Sequence, residues 1–332
     1  MPYFKPFNVI IVGFDGALGS ALTGALDLFS FTGVSWQRFT QQAVEPRFNV
    51  QIASLHGLPF KCSNRMVMHA HCDIANINQC DLLLVPTIGD SIDKVLSNNK
   101  MLIPYLKRLA KTNIDIASNC SGAFLLAEAG LLDGHTATTH WGYAETLQHD
   151  YPNIRVQHEQ LLTQSDQFFC AAGGSAFYDL AMLLIERYCG RDVANQVAKT
   201  QIIDSRRSDQ RVYANSKMFK RHQDPIVAKI QDYIEEHYTQ KLQVHALAQV
   251  ANTTPRTLNR RFQAHANMRP VEYIQAVRVE QAKRLLEHGS VNIKTLAEHV
   301  GYDDTASFTR LFKKLTLLTP KEYQDKFYRG DM

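Results

Sequence analysis

Two stretches near the end of this 332-residue chain repeat each other at a spacing of 50 residues. Arg260-x-Phe262 is followed by seven residues and then Pro270-x-x-Tyr273; Arg310-x-Phe312 is followed by seven residues and then Pro320-x-x-Tyr323. Leu247-Ala248 and Leu296-Ala297 open the two copies. A repeat of this length is one supersecondary unit used twice, which constrains the last third of the chain before anything else is read. Each copy reads as a short helix, a tight turn and a second helix carrying exposed Arg. That is the sequence form of a helix-turn-helix, whose second helix can enter a DNA major groove.

In the first copy Leu247, Ala248 and Val250 form the apolar side of the scaffold helix. Thr254 can cap the next helix, and Pro255 suits its first position. Leu258 and Phe262, four apart, share a buried face. Arg256, Arg260 and Gln263 then fall on another face, with Asn259 at its edge. Arg can bond guanine O6 and N7 together, and Asn or Gln can bond adenine N6 and N7. In the second copy Ala297, Val300 and Gly301 lead to Asp303 or Asp304 as the cap, and Phe308 and Phe312 are the buried pair. Thr305, Thr309, Arg310 and Lys313 make the second candidate DNA face, beside Thr254 and the polar residues of the first. Residues 271–288 join the copies as one helix of 18 residues. At 1.5 Å per residue that is roughly 27 Å, enough to hold two reading helices about one DNA turn apart.

The net charge of +4 looks small until it is divided. Residues 225–332 hold 16 Lys+Arg against 12 Asp+Glu; subtraction from totals of 36 and 32 leaves 20 against 20 for residues 1–224. The excess lies with the repeat, where neutralising phosphate would need it. Cys62, Cys72, Cys80, Cys120, Cys170 and Cys189 show no CxxC and no disulfide-framework spacing, which suits a reducing compartment. The apolar run at residues 9–13 is too short for a signal segment or a membrane span and reads as a buried first strand. A cytoplasmic protein with no membrane partner is expected.

The first two-thirds alternate strands and helices. Strands are expected at Val9–Val12, Phe48–Ala53, Asp81–Val85, Ile114–Ala117, Ile154–Val156, Leu161–Thr163 and Phe168–Ala171. Helices are expected at Ala21–Phe29, Ile92–Ala110, Gly122–Ala129 and Ala176–Tyr188, the last closing the domain before Gly190. Such alternation argues an α/β fold with a mostly parallel sheet. The expected division is a domain over 1–205, a linker over 206–224 and a helical domain over 225–330. The linker's basic residues, including Arg206, Arg207, Lys217 and Arg221, are either solvated or against DNA backbone.

One strand end carries chemistry. Residues 114–122 run Ile-Asp-Ile-Ala-Ser-Asn-Cys-Ser-Gly, so a strand turns sharply into a helix with the Cys120 thiol at the turn, the mechanical form of a nucleophile elbow. A helix N-terminus there would favour the thiolate, and His140 could approach it, so thiol catalysis is one reading. Two other patterns are weaker. His69, His71, Cys72 and Asp73 have metal-ligand types but no distant partner cluster, so no metal is expected. Gly13-x-x-Gly16-x-x-Gly19 lacks the G-x-G-x-x-G spacing of a dinucleotide loop and reads as a Gly-rich turn.

Residues 225–330 resemble the DNA-binding domain of the AraC/XylS family of bacterial transcription regulators. The repeat itself, Thr254-x-Arg256-x-Leu258, Arg278, Val300-Gly301-Tyr302 and Ser307-Phe308 carry the likeness. That family usually has Gly-x-Ser-Pro after each Phe; here the turns read Asn267-Met268-Arg269-Pro270 and Leu317-Leu318-Thr319-Pro320. Asn tolerates a left-handed turn, but Leu does not, so the second turn is expected to differ locally. The stretch from Ala117 to Trp141, with Ala172-Gly173-Gly174 before the last long helix, resembles the glutamine-amidotransferase-like domain of the PfpI superfamily. More narrowly, the whole resembles the GlxA/FtrA-like regulators.

That resemblance implies a flavodoxin-like, doubly wound α/β domain followed by an all-α double helix-turn-helix domain. Catalytic members of the superfamily usually carry a Glu just after the first strand to support the Cys; here that region reads Asp15-Gly16-Ala17-Leu18-Gly19-Ser20. The loss favours a ligand-sensing or dimerising domain, with Cys120 and His140 as a degenerate elbow and no cofactor. The ligand-binding candidates are Asp15, Gly16, Pro86, Gly89, Cys120, Ser121, His140, Gly173 and Gly174, at the carboxyl ends of the strands. Implied partners are a double-stranded DNA operator, RNA polymerase, a small-molecule effector and a second copy of the chain; activation of transcription is the expectation. The competing class is a Cys120-dependent amidase or glyoxalase-like enzyme fused to a DNA-binding module.

Overall fold

The computed structural model describes residues 5–204, 209–213, 220, 222–289 and 291–328. Arg206, Arg207, Lys217 and Arg221 of the linker reading lie outside the described residues. The chain divides into two compact units, Met1–Gln210 and Arg211–Met332.

In the first unit the strands are β1 (Phe7–Val12), β2 (Phe48–Ser54), β3 (Phe60–Lys61), β4 (Val67–Met68), β5 (Cys72–Asp73), β6 (Leu82–Val85), β7 (Asp115–Asn119), β8 (Thr136–Ala137), β9 (Arg155–Val156), β10 (Leu162–Ser165) and β11 (Phe168–Ala171). Among the described residues, seven of them form one sheet in the order β10-β11-β7-β6-β1-β2-β5. All its pairings are parallel except β10 with β11. This is the flavodoxin-like winding, with the order reversing between β1 and β6. β6 is buried along its whole length, as are Val9 to Val12 of β1, which is why both read as continuous apolar runs rather than alternating ones.

The helices of this unit are α1 (Gly19–Phe31), α2 (Ser35–Phe39), α3 (Ile92–Asn98), α4 (Ile103–Ala110), α5 (Ala123–Glu128), α6 (Ala144–Asp150), α7 (Ala176–Cys189) and α8 (Arg191–Gln201). α1 packs on α7 and β2, and α5 packs on α3, α4, β6 and β7. Two expectations fail here. The single helix expected over 92–110 is broken, because the buried Asn99 amide donates to the carbonyls of Val95 and Asp15 and a 3-10 turn follows. Nor does the helix before Gly190 close the unit. Gly190 takes φ 82°, and the chain re-enters as α8, which packs back on α7 and α2.

The second unit is helical: α9 (Pro225–His237), α10 (Val244–Val250), α11 (Pro255–Ala266), α12 (Pro270–His288), α13 (Ile293–His299), α14 (Thr305–Thr316) and α15 (Pro320–Phe327). The 50-residue repeat is α10-α11 and α13-α14. α12 serves both copies with different residues. Tyr273, Ile274 and Val277 join the core of Val227, Ile230, Leu247, Leu258 and Phe262. Val279, Ala282 and Leu286 join that of Leu296, Ala297, Val300, Phe308 and Phe312. Each copy buries its repeated Tyr hydroxyl on a carboxylate, Tyr273 on Glu235 and Tyr323 on Glu287.

The turn after α14 departs from expectation. Leu317 does adopt the left-handed conformation, φ 65° and ψ −7°, as Asn267 does at φ 52° after α11. Local bonds hold it there. Leu317 N–H donates to Lys313 O, and the Thr316 hydroxyl bridges to the carbonyls of Phe312 and Leu318.

Candidate functional site: an elbow and two capped helices

In the first unit, the turns at the carboxyl ends of β1, β6 and β7 are bonded to one another. Gly89 N–H donates to Gly16 O and Leu18 N–H to Thr87 O, each at 2.8 Å. The Ser121 hydroxyl donates to Ile88 O at 2.8 Å, and Asn119 Nδ2 to the Thr87 hydroxyl at 2.6 Å. Gly122 is forced by close approach, since a Cβ there would lie 2.5 Å from Pro86 O. Gly16, Pro86, Gly89, Cys120 and Ser121 are thus brought to one edge of the sheet. Asn119 Oδ1 is buried beside them and has no hydrogen-bond partner among the described residues.

Cys120 occupies a true elbow. It takes φ 55°, a strained value for a residue with a Cβ, and opens a 3-10 turn into α5. Its side chain is nearly enclosed, with Cys120 5% exposed. Burial pushes the thiol above its ordinary value of 9.0, and hydrogen bonds from Ser121, Gly174 and Thr87 only partly oppose this. The thiolate expected from a helix N-terminus is therefore not the favoured form. The helix here is short, and desolvation of the charge outweighs it.

The Cys120 carbonyl accepts from the Thr139 hydroxyl at 2.7 Å, which sets the segment carrying His140 against the elbow. The His140 ring lies directly over Gly173, where a Cβ would fall 1.7 Å from Cδ2. His140 Nδ1 accepts from Gly142 N–H at 2.9 Å, and the ring packs on Trp141. An Nδ1 that accepts leaves the proton of the neutral ring on Nε2. Gly174 meets the Cys120 sulfur through its backbone. Asp15 is turned elsewhere, its carboxylate accepting from Lys61 N–H at 2.7 Å. His71 is likewise engaged, Nδ1 accepting from Ile52 N–H. A cavity of about 470 Å³ opens at the opposite end of the sheet, at the starts of β6 and β7, lined by residues including Asp81, Asn113, Gln167, Arg187 and Tyr188. An Arg187–Asp115 ion pair at 2.7 Å lies in its wall, and none of the elbow residues reaches it.

In the second unit, each reading helix is capped and anchored. The Thr254 hydroxyl accepts from Thr257 N–H, and the Asp304 carboxylate accepts from the N–H groups of Ala306 and Ser307. Asp304 rather than Asp303 is the cap. Phe262 packs edge-on to Tyr273, and Phe312 edge-on to Tyr323. Opposite these anchors, Arg256, Arg260, Gln263, Arg310 and Lys313 are exposed, and Asn259, Thr305 and Thr309 are half-buried. Two of the polar side chains are folded back. Asn259 Nδ2 donates to Pro255 O at 2.9 Å, and Arg310 donates to the Ser307 hydroxyl at 3.0 Å.

Two arginines outside the expected DNA faces hold this unit. Arg261 Nη2 pairs at 2.8 Å with Asp224, the cap of α9. Arg278 donates to the carbonyls of Tyr238 and Gln240 and lies over the Tyr302 ring. The first carried no signal beyond its place beside Arg260; the second carried only its place in the family pattern.

An elbow-bearing parallel α/β unit followed by two capped, Phe-anchored helices defines a helix-turn-helix protein with a companion domain. Residues 33–187 match the DJ-1/PfpI family and residues 247–326 a helix-turn-helix domain family. In this pairing the chain is similar to helix-turn-helix proteins whose other domain is of the DJ-1/PfpI family. It is 29% identical over 218 residues to the HTH-type transcriptional regulator GlxA of Rhizobium meliloti, covering 65% of this chain and 66% of that protein. It is 26% identical over 293 residues to the HTH-type transcriptional regulator CdhR of Pseudomonas aeruginosa, covering 84% and 85%. A solved THiJ/PfpI family protein from Pseudomonas syringae shares the fold of the first unit, with a TM-score of 0.52 at 17% identity over 61% of this chain and 77% of its own. Among the described residues no helix is long and apolar enough to cross a membrane.

Proposed function

We propose that the chain is a sequence-specific, DNA-binding transcriptional regulator whose α/β unit senses a small molecule or dimerises rather than catalyses. The observation that carries this is the paired construction of α11 and α14. Each is capped at its N-terminus, anchored by buried Phe, and presents Arg or Lys on the opposite face. Arg256, in the first turn of α11, is placed to meet base edges, and Lys313, deeper in α14, to meet phosphate. Arg260, Gln263, Thr309 and Arg310 complete the two faces, with Asn259 and Arg310 released from their helices on contact. The operator, RNA polymerase as the partner in activation, a second copy of the chain and a cytoplasmic location are all parts of this reading.

For the sensor, a ligand site at the elbow is supported by the convergence of the turns holding Gly16, Pro86, Gly89, Ser121, His140 and Gly174, and by the buried Asn119 Oδ1, which has no partner among the described residues. The competing reading, a Cys120-dependent amidase or glyoxalase, draws on the elbow geometry. The raised, enclosed thiol and an Asp15 carboxylate engaged by Lys61 N–H weigh against it.

The test is footprinting of the full chain on duplexes selected from a random pool. Two protected segments about 10 bp apart on one DNA face are expected. Arg256→Ala should cost about 1–3 kcal/mol and relax preference at one position. Lys313→Ala should weaken all sequences alike and lower the salt slope by about 1. A single protected segment, or unchanged sequence preference for Arg256→Ala, refutes the assignment.

A further inference from the structure

The two reading helices share one register. Each runs 12 residues, Pro255–Ala266 and Thr305–Thr316, behind a capping side chain at Thr254 or Asp304. From cap to buried anchors the spacing is the same, with Leu258 and Phe262 matching Phe308 and Phe312. The exposed faces can therefore be compared residue for residue. Arg256 matches Ala306, Asn259 matches Thr309, Arg260 matches Arg310 and Gln263 matches Lys313. Ala306 lies in the first turn of its helix and is exposed. Thr309, three residues on, is its neighbour on that face. Where α11 presents a guanidinium and an amide, α14 thus presents a methyl group and a threonine.

The surroundings of the two faces differ as well. No Asp or Glu lies from Thr254 to Ala266, whereas α14 opens on Asp303 and Asp304. Hydrogen bonds from the Ser307 side chain and from the Ser307 and Ala306 N–H groups hold the Asp304 carboxyl below its ordinary 3.8, so the tip of α14 carries a fixed negative charge. Arg310 is drawn onto that tip. Its Nη2 donates to the Ser307 hydroxyl at 3.0 Å and lies 4.0 Å from Asp304 Oδ2. In α11 the counterparts of Asp304 and Ser307 are Thr254 and Thr257, whose hydroxyls bond each other at 3.0 Å instead. Swinging Arg310 to a base edge therefore breaks contacts that Arg260 does not have to break. The first turns of α14 are poor in free side-chain donors where those of α11 are rich.

We propose that Ala306 is a specificity-determining residue, which reads a thymine 5-methyl group in the second DNA segment at the place where Arg256 reads guanine in the first. The inference rests on the reading that both helices enter major grooves. There adenine, guanine and cytosine present hydrogen-bonding edges, and thymine alone adds a methyl group. A base edge covered by the Ala306 methyl loses water and gains no partner. That costs free energy for a donor or an acceptor but not for a methyl group. The operator is thus unequal in its two segments, with guanine opposite Arg256 and thymine opposite Ala306.

The full chain is used to select duplexes from a random pool, first as wild type and then as Ala306→Arg. The base pair of the second segment at which the two selections part is the one beneath residue 306. Wild type should select T·A there, and Ala306→Arg should select G·C. Deoxyuridine in place of that thymine removes the methyl group alone. It should weaken wild-type binding about fourfold, the worth of one buried methyl group. Ala306→Gly, which has no methyl to meet it, should bind the two duplexes equally. Selections that do not part, a base other than thymine selected by wild type, or a uracil penalty equal in wild type and Ala306→Gly overturn the inference. Footprinting of the same duplexes separates the premise. One protected segment refutes the reading of α14 as a DNA helix and the inference with it, whereas two protected segments with no effect of the methyl group overturn the inference alone.

Discussion

Leu317 gives the sharpest test of how the helical unit is held, because the repeat supplies its own control. Leu317 takes φ 65° at the end of α14, and Asn267 takes φ 52° at the equivalent end of α11. A residue with a Cβ loses about 1–2 kcal/mol in this left-handed conformation. Leu317 is 40% exposed, so replacing it outright would mix lost packing with relieved strain. Comparing Leu317→Ala with Leu317→Gly removes the side chain in both and leaves the backbone alone to differ. Glycine escapes the left-handed penalty but loses about 0.4–1 kcal/mol through the entropy of its unfolded chain. Gly should therefore be more stable than Ala at position 317 by about 0.5–1 kcal/mol. Exposed Lys314, three residues earlier and inside the helix, should show the opposite order, Ala above Gly by about 1 kcal/mol.

Both tryptophans, Trp36 and Trp141, lie in the first unit. Fluorescence during urea unfolding therefore follows that unit, while pulsed hydrogen exchange of the peptide spanning 311–328 follows the second. The same Gly-over-Ala order should appear at 267. If Ala proves the more stable at 317, Leu317 is not held in the left-handed turn and the Thr316 bridge does not shape it.

Three further outcomes are expected. Because burial raises the Cys120 thiol above 9.0, its alkylation by iodoacetamide should be slow at neutral pH and still climbing above pH 9; a plateau below pH 7 by peptide mass spectrometry would mean a stabilised thiolate. Gly122→Ala places a Cβ against the carbonyls of Pro86 and Val85, backbone that cannot swing away, and should cost about 1–3 kcal/mol by urea unfolding of the first unit. Burial alone would raise the Asp224 carboxyl, but hydrogen bonds from Val227 N–H and Arg261 hold it below its ordinary 3.8. Its stabilising effect is present above that value and lost as pH falls through the depressed one, so the gap in stability between wild type and Asp224→Asn should close in acid below about pH 4 and stay open at neutral pH.

How legible the fold was depended on what each segment buries. β1, β6, β7 and β11 announced themselves because central parallel strands are apolar on both faces. α8 was missed because Ala194 and Val197 are its only fully buried residues, too few to make a helical stripe. The break at Asn99 was invisible because a buried amide facing Asp15 O is a tertiary choice, not a local one. In the second unit the repeat fixed the anchors and caps, Thr254 and Phe262 among them, while Leu317 shows a local rule overridden by the bonds around it. Within the candidate elbow, the sequence spoke for the turn at Cys120. It could not speak for the state of the thiol, since burial is a property of the folded chain. Gln210, whose buried amide bonds Thr139 O, His158 O and Trp141 N–H, carried no signal at all: a polar residue in a charged stretch reads as solvated until such partners are known.

That last residue bears on why a strained elbow persists beside a buried thiol. A left-handed Cys costs of order 1–3 kcal/mol, and such strain survives only where its surroundings over-determine it. Here they do, through Ser121 on Ile88 O, Gly122 against Pro86 O and Thr139 on Cys120 O. Burial raises the Cys120 thiol above its ordinary value, which disfavours the thiolate. The Thr139 bond instead uses the Cys120 carbonyl, at the residue where the chain makes its left-handed turn. Thr139 is also the residue whose own carbonyl receives Gln210. The elbow's geometry thus has a structural use that requires no sulfur chemistry: it fixes the segment on which Gln210 closes. On this argument Cys120→Ala, which keeps the backbone and its carbonyl, should leave hydrogen exchange in the peptide spanning residues 138–143 unchanged, whereas Thr139→Val, which removes the hydroxyl at nearly constant volume, should speed it.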